Sequence, residues 1–213
     1  MHQGLLSIYG HRKGFDIIEM VIDFCFEKKI ENLSLYAFSI ENLKRTPEEL
    51  YYLFEVLAHE VVDKLAQLKQ KGVKIAFIGD RTLFPKSVKP LCERIEQETR
   101  SGSCLYLNIL FCYGGRQEIV DAARRIAVKV SKGDLQESDI TTEVFERFLW
   151  TAHIPAPDLI IRTGGDQRLS NCLLFQAAYS EIYFLNCLWP DITKKDLESA
   201  VNFFANRRHN CGV

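Results

Sequence analysis

Short apolar runs alternate with segments of helical period along this chain, and that alternation leaves it few folds. The runs 33–38, 73–78, 105–111 and 159–161 read as strands. Between them, Ile17, Ile18, Val21, Ile22 and Phe26 fall at helical spacing within 15–29. Leu50, Leu53, Phe54, Leu57, Val61, Leu65 and Leu68 do so in a helix ending near Gly72. Thr46-Pro47-Glu48-Glu49 opens that helix as a capping box with proline at the first helical position. A helix over 87–99 accommodates Pro90 only in its first turn. The helix over 117–132 presents Ile119, Val120, Ala123, Ile126, Ala127 and Val130 on one face. A shorter helix over 143–150, the segment 173–179, an apolar strand at 182–185 and a last helix near 194–207 complete the chain. Strands that alternate with helices need crossover connections. The expected fold class is therefore α/β, with a single, mostly parallel sheet and helices packed around it. At 213 residues the chain fits one domain.

With 27 basic and 28 acidic residues the net charge is −1. No global field draws nucleic acid, so any anion site must be local. Seven cysteines form no Cys-x-x-Cys pair, and several sit inside apolar runs. Reduced, buried thiols in a cytoplasmic protein are the natural reading. No secretory signal and no apolar run of bilayer length is visible. Leu188-Trp189 and Phe203-Phe204 read as core, with a contact to a second copy as the alternative.

Polar groups follow the strands. Asp158–Asn171 reads Asp-Leu-Ile-Ile-Arg-Thr-Gly-Gly-Asp-Gln-Arg-Leu-Ser-Asn: an apolar strand running straight into Arg162, Gly164-Gly165, Arg168 and Ser170. Ligands in open α/β sheets sit beyond the carboxyl ends of strands. Two guanidiniums, a hydroxyl and a glycine pair exposing backbone N–H groups would suit a diphosphate; the other reading is a turn with surface arginines. There is no Gly-Lys-Ser/Thr phosphate loop and no Gly-x-Gly-x-x-Gly after a strand, which argues against an ordinary nucleotide-binding domain. Ser39, Glu41, Asn42 and Arg45 follow the strand at 33–38; Asn108 lies within the strand at 105–111 and Arg116 follows it; Glu181 precedes the strand at 182–185.

Three segments together resemble cis-prenyltransferases: Leu-Tyr-Ala-Phe-Ser-Ile-Glu-Asn-Leu-Lys-Arg (35–45), Leu-Asn-Ile-Leu-Phe-Cys-Tyr-Gly-Gly-Arg (107–116) and Ile-Arg-Thr-Gly-Gly-Asp-Gln-Arg-Leu-Ser-Asn (161–171). Tyr179–Phe184 and Leu188–Asp191 extend the resemblance, which is closest to the bacterial undecaprenyl diphosphate synthase branch and runs in order from about Gly10 to the C-terminus. It implies an isoprenyl transferase with an apolar tunnel, condensing isopentenyl diphosphate with an allylic prenyl diphosphate. The product would be a cis-polyprenyl diphosphate, a lipid carrier for cell-wall synthesis. Carried over by position, Arg162, Arg168 and Ser170, with Leu169 between them, match the isopentenyl diphosphate clamp. Ser39, Ile40, Glu41, Asn42, Leu43 and Arg45 match the loop that positions substrate and proton transfer. Asn42 stands at the place usually labelled proton acceptor, although a neutral amide is a poor base and is read as orienting. His11 matches a histidine near the allylic diphosphate, where the resemblance implies a catalytic role, since a histidine can shuttle a proton near neutral pH. Glu181 and Gln167 stand nearest the expected Mg²⁺. Ala37 and Leu105 are candidates for the tunnel floor. The resemblance also implies a homodimer, and brief peripheral membrane contact as a long product leaves.

Some features depart from the family pattern. The resemblance implies an apolar strand and a Met-Asp-Gly-Asn-Gly-Arg-Trp loop just before Met1, whose aspartate holds Mg²⁺. Met1–Gly10 does not supply it, so the expectation is one domain over 1–213 that starts late. Ser7 stands for an arginine, Leu43 for an aromatic, Gln167 for a histidine and Asp166 for a glutamate. Those changes weaken the expected allylic and metal sites and leave the isopentenyl clamp whole. A second reading follows from them: a non-catalytic homologue that binds prenyl diphosphate or a partner subunit.

Overall fold

The computed structural model describes residues 16–207, and the expectations for His11, Ser7, Met1–Gly10 and Cys211 lie outside the described residues. The first described element is a helix, α1, over 16–28. Strand β1, Asn32–Ser39, leads through a 3-10 turn to α2, Pro47–Gln70. There the expected capping box forms. Thr46 Oγ1 accepts from Glu49 N–H, and Glu49 returns a carboxylate oxygen to Thr46 N–H. Then come β2, Val73–Ile78; α3, Lys89–Thr99; β3, Leu105–Tyr113; α4, Gly115–Ser131; α5, Thr142–Glu146; β4, Leu159–Arg162; β5, Glu181–Phe184; and α6, Lys194–Ala205.

All strand pairing among the described residues is parallel, as the alternation requires. It falls into two hydrogen-bonded sets: β1-β3-β2 and the pair β4-β5. Central strand β3 is buried at every position except Tyr106. Leu105, Leu107, Ile109 and Phe111 join the main core with Val21 and Ile22 of α1, Phe54 and Leu65 of α2, and Cys92 and Ile95 of α3. The Phe111 ring lies 4.9–5.8 Å from the rings of Phe84, Phe38 and Phe54. A smaller core on Leu110, Ile78, Tyr113 and Leu173 takes in Tyr36 and Trp150.

Two irregularities shape the upper end of this sheet. The register slips between Tyr36 and Phe38, and again between Phe38 and Ser39, where Ser39 meets Tyr113. Ala37 on β1 and Cys112 on β3 (φ +48°) are thus each left without a partner, like two compensating bulges. The first keeps Phe38 in the core and leaves Ala37 exposed, while Leu105 is fully buried. Gly79 passes so close to β3 that an added Cβ would sit 1.9 Å from Phe111 O, so only glycine fits.

Several sequence expectations are corrected. Helix α4 starts at Gly115 and buries Glu118, Ala122 and Ile126, while Val120, Ala123 and Ala127 face outward. The physical reason is Glu118. Its carboxylate accepts from Tyr113 Oη, Thr151 N (2.9 Å), Thr151 Oγ1 (2.8 Å) and Gln176 Nε2 (2.9 Å), so a charged residue takes the inner face fully satisfied. Burial and the neighbouring Glu118 push the Tyr113 phenol well up, which keeps it a donor. Leu188 is 62% exposed rather than core, and Cys104 is exposed where buried thiols were expected. Strand β4 is half-buried throughout. The helix expected over 143–150 is regular only over Thr142–Glu146.

Candidate active site

Strand β1 ends at Ser39, and the next residues form the 3-10 turn Ile40–Lys44. Ser39 Oγ accepts from Asn42 N–H (3.3 Å), and Asn42 Oδ1 accepts from Ser39 N–H (2.9 Å). This reciprocal cap fixes the turn and occupies the Asn42 carbonyl oxygen. Ile40 and Leu43 are half-buried, with Leu43 packed on the main core, whereas Glu41 and Arg45 are exposed.

Strand β4 delivers Arg162. Its Nη1 donates to Ser170 Oγ (3.0 Å), and its Nη2 lies 3.5 Å from Asp166. Arg168 grips the same Asp166 carboxylate with both terminal nitrogens, Nη1 at 2.9 Å. The two guanidiniums differ in setting, with the Arg162 side chain 24% exposed and that of Arg168 63%. Arg162 is the anchored half and Arg168 the solvent-facing half. Ser170 and Asn171 both lie in the left-handed region, at φ +48° and +65°. Such backbone persists where neighbours over-determine it. Here Tyr36 Oη reaches the carbonyls of Tyr113 (3.3 Å) and Ser170 (3.5 Å). The Cys172 thiol next to this loop is pushed up to about 12, chiefly by burial, so it adds no charge at neutral pH.

Two sequence expectations read differently in the structure, while Asn108 lies within its strand as expected. The Gly164-Gly165 pair does not offer its N–H groups to a ligand: they donate to Cys187 O (2.8 Å) and Leu185 O (2.9 Å). At φ +91° and +75° the pair folds the loop back onto the end of β5. Asn108 lies mid-strand opposite Ser34 and Ala76, and is buried away from the strand ends. Glu181 pairs with Leu159, whereas Arg162 pairs with Phe184. The carboxylate therefore starts at the opposite end of the strand pair, about 10 Å along it from the clamp.

That geometry bears on the metal. Gln167 is exposed in the clamp loop, and Glu181 is not brought to it. Asp166, the carboxylate that is there, is already held by two arginines. Among the described residues no group of three His, Cys, Asp or Glu could hold a metal ion. The described side chains do not fit a protein-built Mg²⁺ centre at Glu181 and Gln167.

Sequence reading missed Asn171 as a hub. Asn171 O accepts from Gly115 N–H (2.7 Å), and its Oδ1 accepts from Arg116 N–H (2.8 Å). Its Nδ2 donates to Glu41 Oε1 (2.8 Å) and Gln117 Oε1 (3.0 Å). One side chain thus ties together the loops that follow β1, β3 and β4. The signal available in sequence was an asparagine closing the arginine loop, a residue type tolerant of left-handed backbone. Burial pushes the Glu41 carboxyl up, but hydrogen bonds from its own backbone, Asn171 and Ser39 outweigh that and hold it below its ordinary value.

Taken together, Asn171 joins the loops after β1, β3 and β4 beside a hydroxyl and two guanidiniums that share one carboxylate. Such a cluster can hold a diphosphate. Among the described residues no helix is long and apolar enough to cross a membrane.

Residues 1–212 match the family model described as "Putative undecaprenyl diphosphate synthase". The chain is 39% identical to a ditrans,polycis-undecaprenyl-diphosphate synthase, (2E,6E)-farnesyl-diphosphate specific, of Xanthomonas axonopodis pv. citri, over 97% of this chain and 80% of that protein. It is 40% identical to a tritrans,polycis-undecaprenyl-diphosphate synthase, geranylgeranyl-diphosphate specific, of Pyrococcus abyssi, over 96% and 78%. Its fold is similar to the crystal structure of lavandulyl diphosphate synthase from Lavandula x intermedia in complex with dimethylallyl diphosphate. The TM-score is 0.93, at 31% identity over 97% of this chain and 89% of that one.

Proposed function

The chain belongs to the undecaprenyl diphosphate synthase family of cis-prenyltransferases, and from that premise we propose how its residues do the family's work. It is an isoprenyl transferase that condenses isopentenyl diphosphate with an allylic prenyl diphosphate. The allylic C–O bond breaks and its electron pair leaves with the diphosphate. The isopentenyl double bond supplies the pair for the new C–C bond, and a proton passes from the adjacent carbon to the released diphosphate or to solvent, leaving the new cis double bond.

The observation that carries the site assignment is Arg162 Nη1 on Ser170 Oγ at 3.0 Å, just beyond the end of β4. In this reading Arg162, Arg168 and Ser170 clamp the isopentenyl diphosphate. Asp166 holds both guanidiniums in place until the diphosphate replaces it as their partner. Ser39, Ile40, Glu41, Leu43 and Arg45 position the reacting end. Asn42 orients rather than takes the proton, since a neutral amide is a poor base, its Oδ1 is held by Ser39 N–H and its NH₂ is left to donate. The hydrocarbon runs along the apolar layer that contains Leu105, between the three-stranded sheet and α2.

Mg²⁺ enters the proposal as a counter-ion bound mainly through substrate phosphates, as it commonly is. Chelation should stop turnover and added Mg²⁺ should restore it. A homodimer and brief membrane contact on product release complete the reading for a protein working in the cytoplasm. The outward stripe of Val120, Ala123 and Ala127 on α4 gives a second copy apolar surface to cover, which sedimentation tests.

The assay is incorporation of labelled isopentenyl diphosphate with farnesyl or geranylgeranyl diphosphate as primer. Chain-extended product is expected, and its loss in Arg162→Ala. A wild-type protein that binds prenyl diphosphate but forms no product would overturn the transferase reading in favour of a non-catalytic homologue.

A further inference from the structure

Helix α4 begins at Gly115 behind Gly114, which has no side chain to cap it. The first amide groups of a helix need partners from elsewhere. Here Asn171, from a different loop, supplies them: its carbonyl takes Gly115 N–H and its Oδ1 takes Arg116 N–H. The same side chain then turns its Nδ2 to Glu41, in the turn that carries Ser39 and Asn42, and to Gln117 in the first turn of α4. Ser170, the hydroxyl paired with Arg162, is its immediate neighbour.

We propose that Asn171 is a positioning residue that sets the Ser39–Asn42 turn in register with the Arg162–Ser170 clamp, with its acceptor side fixed to α4 and its donor side shared between Glu41 and Gln117 of α4. This rests on the transferase reading above. The clamped diphosphate of isopentenyl diphosphate and the reacting end positioned by the turn must be held within a fraction of an ångström of the reacting geometry, so a linker between these two loops acts on the chemical step. A clamp residue would act mainly on substrate affinity.

The two faces of the amide can be separated by mutation. Asn171→Asp keeps an oxygen for Arg116 N–H, and aspartate caps a helix as well as asparagine does. It also replaces the donor facing Glu41 with a second carboxylate. Asn171→Asp should melt close to wild type, lower kcat about 10- to 100-fold and change the KM for isopentenyl diphosphate less than about threefold. Glu41→Gln in that background restores a donor opposite the new acceptor, so N171D/E41Q should recover kcat above N171D, beyond the product of the single effects. If N171D fails to fold, Asn171→Ser carries the test. Its short hydroxyl can cap α4 but cannot reach Glu41, so the same kcat loss is expected.

Wild-type kcat in folded N171D or N171S, or strictly additive single and double effects, would overturn the proposal. Absence of product from the wild-type protein would instead sink the transferase reading itself, so the two failures are distinguishable.

Discussion

The β1-β3-β2 sheet and the β4-β5 pair are built from similar apolar runs, yet they are held by different forces. Strand β3 is buried along nearly its whole length and surrounded by aromatic and branched side chains. Strands β4 and β5 are four residues each, half-buried at every position, and their loops are pinned by named hydrogen bonds to Asn171, Asp166 and Cys187. Packing enforces position where a side chain is enclosed; polar contacts enforce it where a site must stay open to a charged ligand. Stability should therefore reside in the first region and chemistry in the second.

The largest expected effect tests the first half of that contrast. Phe111→Ala removes the ring at the centre of the aromatic cluster and should cost about 4 kcal/mol of stability. Denaturant titration measures it. Surviving folded protein should keep near-wild-type kcat/KM, and a large kinetic defect in that fraction would blur the division. Glu118→Gln comes next, because Glu118 joins Tyr113 at the end of β3 to Thr151 and Gln176. An amide can accept at only one of its two ends, leaving donors unpaired, and about 2 kcal/mol should be lost. The same titration checks it.

How much of this was legible in the sequence follows the same line. Apolar runs and the Thr46 capping box were readable because local periodicity and cap chemistry determined them. The buried face of α4 was not. Val120, Ala123 and Ala127 look like a core stripe until Thr151 and Gln176, distant in sequence, join the nearby Tyr113 on Glu118 and make its burial acceptable. The clamp residues Arg162, Arg168 and Ser170 were nameable from their order along the loop. That the Gly164-Gly165 amides are taken by the end of β5, and that Asn171 links three loops, depends on tertiary geometry that no spacing rule contains.

A smaller effect sharpens the comparison. Burial pushes the Cys25, Cys92, Cys112 and Cys172 thiols up to about 11–12, so they stay neutral at pH 8 and should resist iodoacetamide. Exposed Cys104 should be labelled first among the described cysteines, as mass mapping would reveal. Rapid labelling of Cys112 would mean the central sheet opens more readily than its packing implies.

The most direct test of the division is calorimetric binding of isopentenyl diphosphate to Arg162→Ala beside the wild type, with both melted under the same conditions. The account predicts affinity lower by about 100-fold, as loss of a charge-assisted clamp implies, at a melting temperature within a few degrees of wild type. Equal affinity in the two proteins would contradict it and move the diphosphate site away from the end of β4.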